Sequence, residues 1–509
     1  MIDQFFGKTF RIGLVVLLGF YLMALFGYFV GFEPYLLFVA GMFVLVVSLN
    51  RLEYGVYLAF LELFSNPHGQ LISTQISGFQ LSLRMVVFLT VMLVALIVFV
   101  RNTKNRPQLN GRFKMFIPLI VAVIVGFFVG FIQNNFALAF SDGNAYLYLL
   151  YLVPILMIRW DSDKQRELLQ LLAAGAVWTI LLSIVILYVF SHFNEVVLQT
   201  SYYFLRDLRI AEITNLGGGV YRVFMQTQFF VITFLFLLIA MFTQSKLPKR
   251  SQLFILALPI ATMLVSLSRS FWVGIAVACF VFLGLLVVYV KPSVKSWGKI
   301  FIGILTSSLL AVVLLTAIVL FPIPQQSTSG ADLAEALSKR TTETDDVAIS
   351  SRWNLLDPMF ASITSHVFEG SGFGASVTFE SDDPRVREIS EDGTWTVVAM
   401  EWGWLEQWLK MGILAPIGLV ALFALITKRL LAYVWTDRLW LGVGLISSLA
   451  FLAVTHFFSP YLNHPIGLGM ILFVIPFLPQ TKKAEAVEAT PQALLLKNDQ
   501  VGVVATKTN

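Results

Sequence analysis

Apolar residues run along this chain in long blocks separated by short polar stretches. A block of about 20 apolar residues spans a bilayer as a helix, because every backbone N–H and C=O must be satisfied internally in hydrocarbon. The blocks predict spans at 12–30, 35–49, 54–64, 85–100, 115–132, 144–158, 168–190, 222–242, 251–267, 271–290, 300–321, 402–427, 439–456 and 466–479. That is fourteen, although 54–64 is too short to cross unaided, so twelve or thirteen crossings stay open.

Composition agrees with the pattern, since 58% of the 509 residues are hydrophobic and only 13% are charged. The fold class predicted is an all-α, polytopic bundle of transmembrane helices. Counting fourteen spans puts four basic connections on one side: Arg101, Lys104, Arg106, Arg112 and Lys114; Lys246, Lys249 and Arg250; Lys291, Lys295 and Lys299; Lys428, Arg429 and Arg438. The positive-inside rule makes that side the cytoplasm. Both termini join it, with Lys8 and Arg11 before the first span and Lys482 and Lys483 after the last. No small-residue cleavage site follows the first span, which reads as an uncleaved anchor.

The alternate connections face outward, and two are long: Ser191 to Tyr221 and Pro322 to Met400. The second carries thirteen acidic residues against five basic ones, as an outer loop should on this orientation. Its part 323–349 reads as a solvated linker, whereas Ser351 to Trp395 mixes aromatics, glycine and paired charges as a folded, site-bearing loop does. The expected domains are therefore a membrane domain over 1–479, the external loop 322–400 within it, and a disordered cytoplasmic tail over 480–509.

The one cysteine, Cys279, lies inside a span, which gives no basis for a disulfide or thiolate metal site. The five histidines have no metal-ligand spacing, and each defaults to a structural or interfacial role. Gly370-Ser-Gly-Phe-Gly374 has no Gly-Lys-Ser/Thr after it and no strand before it, so it does not read as a nucleotide-phosphate loop. No internal repeat is visible. No metal or organic cofactor and no nucleic-acid partner is expected.

Against that background, Arg269 is the only charge between Ser251 and Val290. It falls at the outer turn between two spans, where an ordinary helix-capping arginine is the plain alternative. Arg222 opens the 222–242 span at the same level, Arg206 and Arg209 precede it, and Arg352 lies in the large outer loop. Arginines at outer helix ends run against the cytoplasmic bias of cations. A guanidinium offers a planar, permanently charged fork suited to phosphate, so the group points to a phosphate or diphosphate ligand.

The next span adds an acid. Glu406 and Lys410 are four apart in the order that favours an intrahelical pair, and are assigned to structure. Glu401 has no such partner in its helix and sits at its start, where the macrodipole favours the carboxylate. A carboxylate held ionised beside a site is what a general base requires, and a helix-capping acid is the alternative. Trp402, Trp404 and Trp408 read as an interfacial belt, with a platform for sugar rings as the alternative.

Ser266-Leu-Ser-Arg-Ser-Phe-Trp-Val-Gly274 resembles the Ser-x-Ser-Arg-Gly-x-x-x-Gly signature of the O-antigen ligase and O-antigen polymerase superfamily. Arg352-Trp-Asn, followed by His366-Val-Phe-Glu-Gly-Ser-Gly-Phe-Gly374, resembles its outer-loop pattern, Glu401 to Gly412 the following segment, and Tyr221-Arg222 an earlier span start. The resemblance covers residues 200 to 430 by motif. It implies a GT-C-like, inverting, metal-independent glycosyltransferase in the inner (cytoplasmic) membrane, acting at its external face. The implied partners are a glycan donor on undecaprenyl diphosphate, a glycan or lipid-linked acceptor, and membrane lipids.

By the same resemblance Arg222, Arg269 and Arg352 would bind the donor diphosphate and Glu401 would be the base. Secondary candidates are His366, Lys410, Arg206 and Arg209, with His366 second in line as base. The departures are Glu401, where the ligases usually carry His, and Ser270, where Gly is more common; the first leans the reading toward a polymerase. The alternatives are a flippase or transporter of lipid-linked sugars, with charges spread through a central cavity, and a non-enzymatic envelope assembly protein.

Overall fold

The computed structural model describes residues 2–76, 78–101, 111–217, 219–244, 250–324, 335, 338, 347–381, 386, 390 and 392–479. The expected tail 480–509, most of the expected linker 323–349 and the cations Lys104, Arg106, Lys246 and Lys249 lie outside them. The chain is an all-α polytopic membrane protein. Each predicted block has a helical counterpart. Among the described residues nine helices are long and apolar enough to cross a membrane, and four more, Ile117–Gln133, Gln228–Thr243, Arg250–Ser266 and Pro465–Phe477, are shorter but apolar. The fourteenth, Leu52–Ser65, has only 14 residues, as the short block at 54–64 requires.

Two kinds of helix surface follow from the residues. Gln228–Thr243 and Pro465–Phe477 are buried almost all round and form the centre. Val294–Val319 and Arg269–Val290 lie outside, with Phe280 77% and Phe301 69% exposed. Apolar residues this open face acyl chains, which solvate them as well as a core would. Small residues let helices approach: a Cβ on Gly13 would meet Ala174 at 3.0 Å, and one on Gly274 would meet Phe451 at 2.8 Å.

The packing separates two ends. At one, Arg112 donates to Leu478 O, Arg438 donates to Gln165 Oε1 at 2.5 Å, and the Tyr433 hydroxyl donates to Phe477 O at 2.6 Å. The other end holds the turn Leu267–Ser268, where Ser459 Oγ lies 3.3 Å from Ser270 Oγ. The helices Arg269–Leu285 and Leu439–Phe458 pack between these ends, with Tyr289 against Trp435 near the basic one.

Three two-stranded antiparallel hairpins decorate the bundle: Ser73–Ile76 with Phe79–Ser82, Glu212–Gly217 with Val220–Phe224, and Val377–Glu380 with Thr394–Val397. The second corrects the sequence reading. Arg222 does not open a span; it sits in a strand opposite Thr214, and the helix starts at Gln228. Val220-Tyr-Arg-Val-Phe224 is rich in β-branched and aromatic residues, and the left-handed Gly217 and Gly219 at its turn make a hairpin easier than a continued helix.

The predicted 402–427 span is also divided, at left-handed Gly412, into Gly403–Met411 and Leu414–Leu430. Part of the loop before it is folded among the described residues. Helices Val347–Asn354 and Leu356–Ser365 and the third hairpin enclose a small core of Leu355, Met359, Ile363, Val377, Phe379, Met400 and Leu409. The glycine run 370–374 docks this core onto the bundle. Phe373 is buried against Phe127 and Tyr146, its N–H donates to Gly126 O at 3.0 Å, and its C=O accepts from Asn134 Nδ2 at 2.9 Å. A side chain on Gly372 would collide with the backbone of Gly130, and its φ of 78° is one that only glycine adopts freely.

Candidate active site

One turn and its helix form the floor of the site. Leu267 is left-handed at φ 44°, an arrangement that costs an L-residue about 1–2 kcal/mol, and Ser268 precedes the Arg269–Leu285 helix without capping it. Hydroxyl contacts hold the turn: Ser266 Oγ donates to Met263 O at 2.6 Å, and Ser268 Oγ lies 3.1 Å from Ser270 Oγ. The turn therefore ends in a 17-residue helix whose first N–H groups and positive dipole end favour an anion, with Arg269 as first residue.

Around this floor lies a cavity of ≈ 590 Å³ lined by Arg222, Arg269, Arg352 and Glu401. Four segments distant in sequence thus meet. The second hairpin delivers Arg222, whose Nε donates to Ser266 O at 2.9 Å and whose guanidinium lies 5.0 Å from the Phe224 ring centre. The Val347–Asn354 helix delivers Arg352. Its guanidinium pairs with Glu401, and its backbone C=O accepts from Trp402 Nε1 at 2.8 Å. Glu401 itself lies two residues ahead of the Gly403–Met411 helix, so its fixed partner is the Arg352 cation and not a helix end.

The secondary candidates divide. Arg206 and Arg209 line an adjoining cavity, and His366 lines neither, its Nδ1 lying 2.9 Å from Ser365 Oγ. Lys410 is buried outside the cavity lining, 2.5 Å from Glu406 Oε1 and 2.6 Å from Asp142 Oδ1. Asn463 donates to Glu406 Oε2 at 2.6 Å, and the Gly374 N–H donates to Asp142 Oδ2 at 2.8 Å. The pair assigned to structure is therefore the centre of a network that also fastens the glycine run. The tryptophans are anchors too: Trp404 Nε1 donates to Ala453 O at 3.0 Å and Trp408 Nε1 to Val367 O at 3.1 Å.

Sequence reasoning missed Glu212, Tyr461 and His464, which also line the cavity. The signal for the last two was the polar run Ser459-Pro-Tyr-Leu-Asn-His464 between two apolar blocks. Desolvation first, then the Lys410 and Arg84 cations, push the His464 imidazole down to about 4, which makes it a weak base. Among the described residues no group of three or more His, Cys, Asp or Glu side chains is gathered as metal ligands.

What the arrangement can do is bind a multiply charged anion at three guanidinium groups and a helix start, beside two carboxylates, Glu401 and Glu212. A family model described as O-antigen ligase matches residues 254–420, a segment that holds Arg269, Arg352 and Glu401 but not Arg222. No curated protein and no solved structure matches the chain. The match likens that segment to the O-antigen ligase family.

Proposed function

We propose, on the match of residues 254–420 to the O-antigen ligase family model, that the chain belongs to that family and transfers or polymerises glycans carried on undecaprenyl diphosphate, by inversion, at the external face of the cytoplasmic membrane. The observation that carries this reading is the meeting of Arg222, Arg269, Arg352 and Glu401 in one cavity at a helix start. The orientation is supported by Arg112 and Arg438 at the opposite end, the basic side that the positive-inside rule puts in the cytoplasm.

The donor diphosphate lies across the arginines, with the sugar C1 toward Glu401. The acceptor hydroxyl oxygen attacks C1 from the face opposite the diphosphate while Glu401 takes the hydroxyl proton. The new C–O bond forms as the bond from C1 to the diphosphate oxygen breaks, and that oxygen leaves with the electron pair. Its growing negative charge is met by Arg269 and by the fixed N–H groups of the helix start, which need no reorganisation. Arg352 links the two functions: a diphosphate that engages its guanidinium loosens the ion pair to Glu401 and frees the carboxylate when donor is bound.

The test is a gel of surface and lipid-linked glycans from cells lacking the gene, restored with wild type, Arg269→Ala or Arg269→Lys. Collapse of a length ladder to single repeats marks a polymerase, and long chains stranded on the carrier mark a ligase. The Lys variant, which has charge without the fork, restores only part of the product. Wild-type glycans in the inserted Ala variant overturn the reading.

A further inference from the structure

We infer that a second anion site stands beside the first and holds a phosphate or diphosphate of the acceptor. This inference rests on the transferase reading above. A second cavity, of ≈ 530 Å³, adjoins the first, and Glu212, Phe224 and Gln226 line both. An acceptor gripped in one can therefore reach a donor in the other past a single wall. Arg206, Arg209, His68 and Tyr202 line the far side.

The way the two arginines are placed argues for use. The helix Glu195–Asp207 ends in a Schellman stop: the Arg209 N–H donates to Arg206 O at 3.0 Å and the Ile210 N–H to Leu205 O at 2.8 Å. Such a stop puts one residue in the left-handed region, and glycine is its usual occupant because a Cβ is strained there. Here the occupant is Arg209, at φ 50°. Backbone closure alone gives no reason to prefer a strained arginine; a guanidinium needed at the rim does. Among the described residues no carboxylate lies within ion-pair distance of Arg209.

Arg206, one turn back, is steered by Asp207 at 2.8 Å and lies 4.9 Å from the Tyr203 ring centre. His68 adds no third cation, because desolvation first and then Arg84, His464 and Arg209 push its imidazole down to about 4. Neutral, it can donate one hydrogen bond to a phosphate oxygen. Two guanidinium groups and an imidazole fit a phosphate better than a bare sugar, whose hydroxyls need no fixed positive charge.

The probe is farnesyl diphosphate, titrated into the purified full chain in phosphatidylcholine nanodiscs. Wild type should bind two equivalents. Arg269→Ala should weaken one class, and Arg209→Gly the other by about tenfold or more, the loss expected for a charge-assisted bond. Arg209→Gly should unfold at the same temperature as wild type or higher, because glycine accepts the left-handed turn. In turnover assays the same variant should raise the acceptor KM and keep kcat. A single equivalent, or two equivalents unchanged by Arg209→Gly, overturns the inference, as does occupation of the second class by phosphatidylglycerol and not by the diphosphate. Loss of the transferase reading would be separate: full transfer by Arg269→Ala with two equivalents still bound in wild type.

Discussion

Replacing Glu401 by glutamine removes one charge and leaves the shape, so it separates catalysis from stability. The Glu401 and Arg352 side chains are 51% and 37% exposed, so water and salt screen their pair. A pair in that setting contributes less than about 1 kcal/mol to folding. A general base that takes the acceptor proton in the transition state contributes roughly 10²–10⁴ in rate, which is about 2.7–5.4 kcal/mol at 1.36 kcal/mol per tenfold. The two effects differ by several-fold and the experiment reads both. With purified full chain, a synthetic lipid-linked donor and acceptor, Glu401→Gln should lower kcat at least about a hundredfold while Tm moves by no more than about 2 °C. Donor binding should persist or tighten, because Arg352 is released to the diphosphate. A rate near wild type would refute the assignment, and a matching loss in Glu212→Gln would move the base to the other carboxylate in the cavity. A large fall in Tm alongside the rate would make Glu401 a structural residue.

Lys410→Met strands the Asp142 and Glu406 carboxylates in a buried site, which should cost about 3–5 kcal/mol and appear as a much lower Tm in detergent. Gly372→Ala should lower expression and Tm through the collision with Gly130 and the left-handed φ, whereas alanine at exposed Ser365 should change neither. His68 gives a pH signature. Its folded value near 4 lies below the ordinary 6.5, so between those values the unfolded chain takes a proton that the native chain refuses. Stability should therefore fall as pH drops from about 6.5 toward 4 and level off below; His464 shares this limb, so His68→Gln should make it shallower in Tm measured against pH and leave the His464 part.

The helices were legible because apolar blocks announce themselves by length, and each predicted span has its counterpart. The errors fell where local conformation decides. The apolar block predicts a helix start at Arg222, yet the five residues Val220–Phe224 pair as a strand, a choice set by the glycines at 217 and 219 and by the partner strand. Gly412 divides a block that hydropathy alone reads as continuous. In the site, Arg269 and Glu401 stood out because charge is rare beside apolar runs, and Arg352 stood out through its motif. Glu212 and His464 did not, because nothing in their own segments says that the 212 hairpin and the 459–464 turn meet at the same helix start. His366 and Lys410 are plausible by type but lie outside the cavity, the first at a helix stop and the second buried between Asp142 and Glu406.

The position of Lys410 explains how a loop residue can serve chemistry on a membrane helix. Arg352 belongs to the outer loop and Arg269 to the bundle, so a diphosphate can bridge them only if loop and bundle keep a fixed separation. Three arrangements set it. Phe373 and the glycine run seat the loop on the Ile117–Gln133 helix. Asp142 takes the Gly374 N–H with one oxygen and Lys410 with the other, tying that seat to the Gly403–Met411 helix. Glu406 on the same helix takes Lys410 and Asn463, and Asn463 is next to His464 in the cavity wall. Buried charges of this kind contribute little net stability, because desolvation offsets their attraction, but their geometry is exacting. A network in that position defines where Glu401, Arg352 and the 459–464 turn stand relative to Arg269. Preorganised electrostatics work only when the donors are fixed before charge develops, and the buried ionic network beside the cavity wall is what fixes them.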